Sequence, residues 1–438
     1  MTNLHIDVHH VTRIEGHGNI VVNTSNGRIE KCEWQVPEAP RFFEAMVRNR
    51  HYSEVSRITS RICGICAIGH SLCSVKATEV ALGIRVSRQT ALLRNLLKHA
   101  EIFDSNVLHV LFLAAPDLLG VSSVFPLVKT HKAVIQVALR LKRLAHEWGS
   151  LIAGRTTHAT TVVPGGFGAL PSTEDLANLI KRFEKELLPD LKVVLEVLVS
   201  LSDKFPKFER PTEYMALHAK DEYAFYDGVV QTVMPDGTKE QYAVENYKSL
   251  TNEYMTPHST AKWTRHNLES YMAGALARFN NNADQLHPEA KKVAKLLGLA
   301  PLCHNTYLNT AAQAAEIVHS VHRSLELLDK LATAGIKDEE PRKPTKHGEG
   351  TASVEVPRGI LFHHYKYDRE FMCTGADCVI PTNQNHGNIQ LDFEKLVPEL
   401  LASKMAEKEI ELRLEMLVRA YDPCVSCSTH YLKVKFAH

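Results

Sequence analysis

Two Cys-x-x-Cys pairs stand near opposite ends of the 438-residue chain. Cys63 and Cys66 lie in "SRICGIC", and Cys424 and Cys427 lie in "DPCVSCSTH", so that Cys424 follows Cys63 by 361 residues. A single pair with this spacing serves redox dithiols, zinc sites and iron–sulfur sites alike. Two pairs supply four thiolates, which is enough to close one coordination sphere, and the sequence therefore predicts one shared metal site.

The length of the chain between the two pairs favours a metal that does chemistry. Structural zinc sites usually close short loops, because the metal substitutes for a missing core. A chain with 44% apolar residues has ample material for a core. Thiolates suit zinc, nickel and iron–sulfur clusters alike, so spacing alone does not choose the metal. A structural zinc, or two independent sites, stays open on these grounds.

The residues around each pair predict how the thiols are positioned. The stretch "CAIGHSLCSVKATEVALG" predicts a helix that begins near Cys66, with His70 one turn further on. A helix N-terminus favours the thiolate form, and His70 could donate a hydrogen bond to a metal-bound sulfur. "EIELRLEMLVRAYDP" predicts a second helix, which ends before Pro423 and presents Cys424 and Cys427 from a fixed point.

Composition excludes several classes of partner. The 51 basic and 50 acidic side chains give a formal charge of +1, so no excess of positive charge indicates nucleic acid or an anionic membrane. No apolar segment approaches the roughly 20 residues of a membrane helix, and the N-terminus does not resemble a secretory signal. Nine cysteines, an odd number, argue against a disulfide framework. We therefore expect a cytoplasmic protein without a membrane or nucleic-acid partner.

Sequence patterns predict a mainly α fold, with a large helical-bundle core and small β-hairpins at the N-terminus and in the middle. Hairpin turns are predicted at residues 26–27 and at residues 236–237, where Asn-Gly and Asp-Gly dipeptides occur. Ser87 and Ser172 are typical helix N-caps, and each precedes an apolar stripe of helical period.

We expect residues 1–438 to form a single domain. The charged stretch at 337–353 is rich in Pro and Gly and predicts a surface loop within that domain. A further pattern, "FMCTGADC", contributes Cys373 and Cys378, for which we predict a loop of reduced thiols near the surface and no assigned role.

Taken in order, the motifs resemble those of a known family. "RICGIC" with His70 and "DPCVSCSTH" resemble the two signatures of the large, catalytic subunit of nickel-iron hydrogenases. "TRIEGHG", "PRFFEAMV", "VVPGGFG" and "VPRGILFHH" occur in that family's order, and the resemblance covers essentially the whole chain. The motif variant "DPCVSCSTH" resembles the cytoplasmic, bidirectional, multimeric branch of this family. The lack of a signal sequence and of a membrane segment favours the same branch.

The resemblance implies a nickel bound by four cysteine sulfurs, two of which also bridge to an iron that carries cyanide and carbon monoxide. By motif position, Cys63 and Cys424 would be terminal nickel ligands, and Cys66 and Cys427 would bridge. His70 would be the histidine beside the bridging sulfur.

Further site residues are implied by the same resemblance. Glu15 matches a proton-relay carboxylate, and Pro357 and Arg358 match residues beside the iron's cyanide and the open metal position. Glu44 and His430 match ligands of a separate magnesium or iron ion, a hard cation that suits oxygen ligands. Considered without the family, Glu15, Glu44 and Arg358 would be interpreted as ordinary surface charges or an ion pair.

One departure from the family concerns the end of the chain. Most relatives lose a precursor tail directly after the histidine that matches His430, whereas here "YLKVKFAH" follows at 431–438. We predict a short strand for this tail and leave its removal open. Intact-mass measurement of the metal-loaded protein would decide, since a loss of eight residues would refute retention.

The leading hypothesis is reversible oxidation of dihydrogen to protons and electrons. The chain has no cysteine set for an iron–sulfur cluster, so electrons would leave through an iron–sulfur small subunit, with residues 87–115 contributing to the interface. No nucleotide fingerprint is present, so flavin, NAD(P) or ferredoxin chemistry would belong to further subunits. The alternatives are a complex I-like subunit without metal ligands and a zinc-stabilised protein.

Overall fold

The computed structural model describes residues 4–26 and 28–430. Helices dominate, as the sequence predicted. In chain order they are α1 (Phe43–Met46), α2 (Tyr52–Thr59), α3 (Ala67–Leu82), α4 (Arg88–Leu108), α5 (Ala115–Leu118), α6 (Val124–Thr130), α7 (Lys132–Ala153), α8 (Thr173–Arg182), α9 (Leu188–Ser200), α10 (Tyr247–Thr251), α11 (Ala275–Asn282), α12 (Pro288–Leu296), α13 (Asn309–Ala334), α14 (Pro381–Ala402), α15 (Glu407–Ala420) and α16 (Val425–Ser428).

The strands form four small sheets. They are β1 (His5–Val8), β2 (Asn19–Ser25), β3 (Arg28–Gln35), β4 (Val162–Val163), β5 (Gly166–Phe167), β6 (Glu213–His218), β7 (Val229–Val233), β8 (Lys239–Tyr242), β9 (Tyr271–Met272), β10 (Gly348–Val356), β11 (Gly359–Tyr367) and β12 (Cys373–Val379). The sheet orders are β1-β2-β3, β4-β5, β8-β7-β6-β9 and β10-β11-β12.

Both predicted hairpins are present. β2 pairs antiparallel with β3, and Asn26 in the turn has a φ of 52°, while Gly27 lies outside the described residues. β7 pairs antiparallel with β8, and Gly237 in that turn has a φ of 88°, which favours glycine.

The centre of the helical core is formed by α3, α4, α7 and α13. Almost every residue of α3 is buried, which is expected for a helix with apolar residues all round. Ser87 caps α4 by accepting from the Thr90 N–H at 3.0 Å, and Ser172 and Asp175 form a capping box on α8, both as predicted. The predicted contribution of residues 87–115 to a partner interface stays a prediction. Most apolar side chains of α4 are buried inside this chain, whereas Leu92 and Leu108 are partly exposed.

Sequence reasoning missed the sheet β10-β11-β12, which packs its first strand against α3. The predicted loop at 337–353 is correspondingly too long, because residues 348–353 belong to β10. Cys373 and Cys378 begin and nearly end β12 and are buried, so the prediction of a surface loop of thiols is wrong. The predicted strand at 431–438 lies outside the described residues.

Candidate metal centre

The first cysteine pair lies directly before the N-terminus of α3. Cys63 is in extended conformation directly after the short turn Ser60–Ile62, and Cys66 is the residue that precedes the helix. The sulfur of Cys63 accepts the backbone N–H groups of Ile65 at 3.3 Å and Cys66 at 3.1 Å. Such N–H groups stabilise negative charge on the sulfur, because they donate to the charged form.

The second pair follows α15 and is held by the N-terminal segment. Asp422 takes a φ of 51°, which turns the chain into Pro423, and Cys424 then precedes the short helix α16. The backbone of Glu15 pairs with this segment, since the Val425 N–H donates to the Glu15 carbonyl at 2.9 Å. The Cys424 N–H donates to the Thr382 hydroxyl at 3.0 Å.

The fold brings the two pairs together. The sulfurs of Cys63 and Cys424 are 3.5 Å apart, and those of Cys63, Cys424 and Cys427 all lie within 4.8 Å of one another. The Cys66 sulfur does not belong to this group of three, although the other three thiols influence the pKa of Cys66. All four side chains are buried, and none forms a disulfide. The structure thus brings Cys63 of the first pair together with both cysteines of the second pair.

One of the four thiols ionises more readily than the others. Burial disfavours the Cys63 thiolate, but hydrogen bonds from the thiols of Cys424, Cys427 and Cys66 outweigh it and lower the pKa of Cys63 well below its ordinary value. Burial raises the pKa values of Cys424 and Cys427. Hydrogen bonds to the other thiols raise the pKa of Cys424 further, and charge at Cys63 raises that of Cys427 further. Without a cation, the cluster therefore favours one thiolate surrounded by thiols.

This donor set fits a soft divalent metal. Four buried sulfurs can be fully deprotonated only if a cation replaces their protons. Two buried nitrogen atoms close to the cluster, Nε2 of His70 and Nε of Arg358, have no hydrogen-bond partner among the described residues. Buried polar atoms without a partner are costly, so they indicate that further polar or charged groups belong in this place.

Glu15 lies against one of the sulfurs, as its expected relay role requires. Its Oε2 is 3.0 Å from the sulfur of Cys424. The same carboxylate accepts the backbone N–H of Ser426 at 3.2 Å and also the Ser426 hydroxyl. These two donors fix the orientation of the carboxylate toward Cys424.

Arg358 is buried beside the cluster and forms an internal ion pair. Its Nη2 donates to Asp422 at 2.7 Å, and its Nη1 donates to the Ser105 hydroxyl at 3.4 Å. Burial disfavours the guanidinium charge, but Asp422 and the thiolates of the cluster raise the pKa of Arg358 above its ordinary value. The carbonyl of Pro357 accepts from Arg278 at 2.9 Å, which anchors the turn that carries Arg358.

His70 makes a different contact from the one we expected. Its Nδ1 hydrogen-bonds to Nε2 of His363 at 3.1 Å, and His363 in turn contacts the Tyr365 hydroxyl at 2.6 Å. The expected hydrogen bond from His70 to a cysteine sulfur is not formed among the described residues. Burial lowers the pKa of His70 to about 3, so the ring is neutral and its Nε2 is left to face a further group.

Glu44 and His430 meet at a second candidate cation site. Oε1 of Glu44 is 3.4 Å from Nε2 of His430, and this nitrogen is 2.8 Å from the carbonyl of Cys378. The two oxygens and one nitrogen suit a hard dication. A cavity of about 530 Å³ lined by Glu44, Glu253 and Asp377 adjoins the site and is large enough for water ligands. His430 Nδ1 lies 3.2 Å from the Cys427 carbonyl, so this site adjoins the thiol cluster.

Three polar contacts of the cluster were not predicted from sequence. Asp422 pairs with Arg358, Thr382 accepts from Cys424, and Ser426 orients Glu15. Asp422 and Ser426 flank the second cysteine pair in "DPCVSC", and that position was the signal which could have drawn attention to them. Thr382 lies at the start of α14, and nothing in the sequence around it indicates a contact with Cys424.

Comparison with family models decides the assignment. A model described as nickel-dependent hydrogenase matches residues 41–138 and 207–430, and one described as HoxL-like matches residues 5–39. The chain belongs to the nickel-dependent hydrogenase family. Its members are oxidoreductases that act on dihydrogen, and this chain is therefore a hydrogenase large subunit.

Curated relatives match this hydrogenase over nearly its whole length. The alpha subunit of sulfhydrogenase 1 from Pyrococcus furiosus is 32% identical and covers 99% of this chain and 100% of its own. The matching chain of the F420-non-reducing hydrogenase from Methanothermobacter thermautotrophicus is 28% identical, with 96% of this chain and 93% of its own covered.

Solved structures share the fold. The NAD⁺-reducing [NiFe]-hydrogenase in its H2-reduced state superposes with a TM-score of 0.88 at 24% identity, over 97% of this chain and 99% of that chain. The [NiFeSe]-hydrogenase of Dm. baculatum gives a TM-score of 0.80 at 22% identity, over 98% of this chain and 100% of that chain. The hydrogenase large-subunit fold predicted from the motifs is confirmed.

Proposed function

We propose that this hydrogenase subunit catalyses the reversible heterolytic oxidation of dihydrogen at a nickel-iron centre held by its four convergent cysteines. The observation that carries the proposal is the meeting of Cys63, Cys424 and Cys427 within 4.8 Å, with Glu15 3.0 Å from the Cys424 sulfur. A metal cluster with an adjacent carboxylate base is what splitting dihydrogen into charged products requires.

The four sulfurs would hold the metals in two roles. Cys63 and Cys424 would be terminal nickel ligands, and Cys66 and Cys427 would bridge to an iron that carries cyanide and carbon monoxide. When bound, this centre supplies the redox chemistry that cleaves dihydrogen. Pro357 and Arg358 would line the pocket of the iron's diatomic ligands, and the unpaired Nε of Arg358 is a donor available there.

The chain's own residues would move the proton. The Cys424 sulfur is the atom that contacts Glu15, so a proton held on this sulfur can pass to Oε2 over 3.0 Å. Ser426 holds the carboxylate in line by two hydrogen bonds, which reduces the reorganisation needed for transfer. Asp422 fixes Arg358 by an ion pair, and the Nε2 of His70, which has no partner among the described residues, would be available to a metal-bound sulfur.

The Glu44 and His430 side chains would hold a magnesium or iron ion, with the Cys378 carbonyl as a third ligand. The two side chains already influence each other's charge. Burial disfavours the charged forms, yet contact with His430 lowers the pKa of Glu44 and contact with Glu44 raises that of His430. Because His430 also contacts Cys427, this ion would rigidify the end of the described chain next to the nickel ligands.

Electrons would leave through another subunit. In the part of the chain that the structure describes, no other group of three or more Cys, His, Asp or Glu side chains is close enough to hold a metal. We infer that the immediate acceptor is an iron–sulfur small subunit, with flavin-, NAD(P)- or ferredoxin-linked subunits beyond it. The similarity in fold to an NAD⁺-reducing enzyme and in sequence to archaeal multi-subunit hydrogenases supports a multimeric, bidirectional type.

We further infer a single domain over 1–438 in a cytoplasmic complex. Elements from both sides of the 335–347 stretch, including α3 and β10, share one core, which supports the single domain. Within the described residues, no helix is both long and apolar enough to cross a bilayer. The complex I-like alternative lacks the cysteine ligands that this chain retains, and a local zinc site does not explain the contact of Glu15 with Cys424.

The proposal is tested on the complex purified anaerobically. We expect nickel and iron in the protein, dihydrogen-dependent reduction of a dye, and loss of both nickel and activity in Cys427→Ala. Cys373→Ala, which removes a buried thiol of β12 outside the cluster, is the matched control and should retain both. Zinc in place of nickel and iron, with no dihydrogen uptake, would refute the proposal.

A further inference from the structure

A buried ion pair lies behind the first cysteine pair. Lys98 and Glu101, one turn apart on α4, are in contact through Nζ and Oε2, and their side chains are 0% and 2% exposed. Removing two charges from water is costly, and an apolar pair of similar volume is often at least as stable. Stability alone therefore does not account for this pair.

The pair is bound to the turn of α3 that carries Cys66. Oε1 of Glu101 accepts the backbone N–H of Gly69 at 2.6 Å. Gly69 is the third residue of α3. Cys66 occupies the N-cap position of this helix, but its side chain forms no capping hydrogen bond. The first N–H groups of a helix lack partners within it, and negative charge is favourable at that end. Glu101 thus acts as a cap supplied from another helix.

The surroundings of Gly69 show how closely this contact is fitted. A Cβ at Gly69 would lie 2.7 Å from Lys98 Nζ, 2.9 Å from Glu101 Oε2 and 2.2 Å from Val356 Cγ1. Val356 ends β10, two residues before Arg358. The ion pair therefore lies where α3, α4 and the turn leading to Arg358 meet.

Electrostatic effects agree with a position next to the cluster. After burial, which has the largest influence, charge at Cys63 also raises the pKa of Glu101. The positive charge of Lys98 likewise contributes to lowering the pKa of His70, although burial is the main cause. The pair is thus close enough to interact with both residues.

We propose that Lys98 and Glu101 are positioning residues of the metal centre, which hold the first turn of α3 so that Cys63 and Cys66 face Cys424 and Cys427. This inference rests on the proposed function, since it assumes that the four cysteines bind one metal. A second buried ion pair, between Arg94 of α4 and Glu79 of α3, provides an internal comparison at the other end of α3. Glu79 also accepts a backbone N–H, from Gly165 at 2.7 Å, and its Oε1 is 2.7 Å from Arg94 Nη2.

The test uses Co²⁺ alone, titrated anaerobically into the full chain prepared without metal, because thiolate-to-cobalt absorption reports the four-sulfur site directly. The main variant is Lys98→Met combined with Glu101→Leu, which leaves no uncompensated charge. We expect it to bind Co²⁺ about 10-fold more weakly, the usual loss when groups that orient metal ligands are removed, and to shift the absorption bands. Glu79→Gln should keep the affinity and the bands of the unmodified chain.

Glu101→Gln retains an oxygen that can accept from Gly69 and removes the charge. We expect it to recover most of the affinity while its bands remain shifted. If the double variant does not fold, Glu101→Gln carries the test, and bands identical to those of the unmodified chain overturn the inference.

Wild-type affinity and bands in a folded double variant would also overturn it. If the unmodified chain itself shows no thiolate-to-cobalt bands, the four-cysteine assignment fails and the inference fails with it. That outcome is distinct from failure of the ion pair alone, in which the unmodified chain binds normally.

Discussion

Under the proposed function, Glu15 is the residue that accepts a proton from the sulfur cluster. We predict that Glu15→Gln lowers dihydrogen oxidation by about 100-fold or more, the usual contribution of a positioned acid or base, because an amide cannot accept the proton from Cys424. Dye-linked dihydrogen uptake and nickel content measure the effect. Nickel content should stay unchanged, since Glu15 is not one of the four sulfur ligands.

Glu38 supplies the control for this substitution. Its carboxylate accepts the backbone N–H of His17 at 2.7 Å, two residues from Glu15, and no hydrogen bond joins it to a cysteine sulfur among the described residues. Glu38→Gln should therefore change activity far less. Equal losses in the two variants would show that Glu15 acts only by holding the N-terminal segment.

The thiols themselves predict a pH dependence of metal uptake. The pKa values of Cys66, Cys424 and Cys427 are raised, so these thiols are protonated at neutral pH and a dication must displace their protons. Affinity of the metal-free chain for Co²⁺ should therefore increase as pH rises. A titration in weak buffer with an indicator dye should record proton release, and pH-independent binding without release would contradict this interpretation.

Residue types near the two pairs were predictable, but their polar partners were not. The four cysteines, Glu15 and Arg358 could be selected because motif spacing marks them. The bond between Arg358 and Asp422 joins residues 64 positions apart. It depends on where β10 and α15 end in space, which local sequence does not reveal. For the same reason the contact between Nδ1 of His70 and His363 was not predicted.

At the scale of elements, α3 packs very closely against the end of β10, and Gly69 is the residue at this contact. Gly→Ala within a helix usually stabilises a protein by about 1 kcal/mol. At Gly69, however, the new Cβ would lie 2.2 Å from Val356 Cγ1, so we predict that Gly69→Ala destabilises the chain by about 1–3 kcal/mol, as overpacking does. Thermal unfolding of the purified chain measures the change.

Gly149 is the matched comparison, because it lies within α7 and the nearest atom to its added Cβ is 4.0 Å away. Gly149→Ala should raise the unfolding temperature. If both alanine variants raise it, the close contact between α3 and the end of β10 is not what the structure indicates.

Helix caps and hairpin turns, which are marked by a few neighbouring residues, were predicted correctly. Buried strands, which have no such mark, were missed. The caps at Ser87 and Ser172 and the hairpin turns are local devices, and all appear where expected. The sheet β10-β11-β12 was missed because both β10 and β11 are largely buried and so lack the alternation of a half-exposed strand. The Pro- and charge-rich stretch before it was extended into β10 for the same reason.

For the whole molecule, the main prediction is dependence on a partner. Outside the thiol cluster, the described part of the chain has no group of three or more Cys, His, Asp or Glu side chains close enough to hold a metal. We therefore expect the isolated protein to lack a route for electrons between the centre and an acceptor. On its own, the metal-loaded chain should show little sustained dye-linked dihydrogen uptake, and supplying the iron–sulfur partner should restore it. Undiminished turnover by the lone chain would contradict this dependence.

The central claim is that sulfurs from the two ends of the chain bind one nickel. Anomalous diffraction from crystals of the metal-loaded enzyme, recorded on both sides of the nickel and iron absorption edges, tests it most directly. We predict one nickel peak bonded to the sulfurs of Cys63, Cys66, Cys424 and Cys427, and an iron peak beside Cys66 and Cys427. A zinc peak in that position, or nickel bound by only one of the two pairs, would contradict the account.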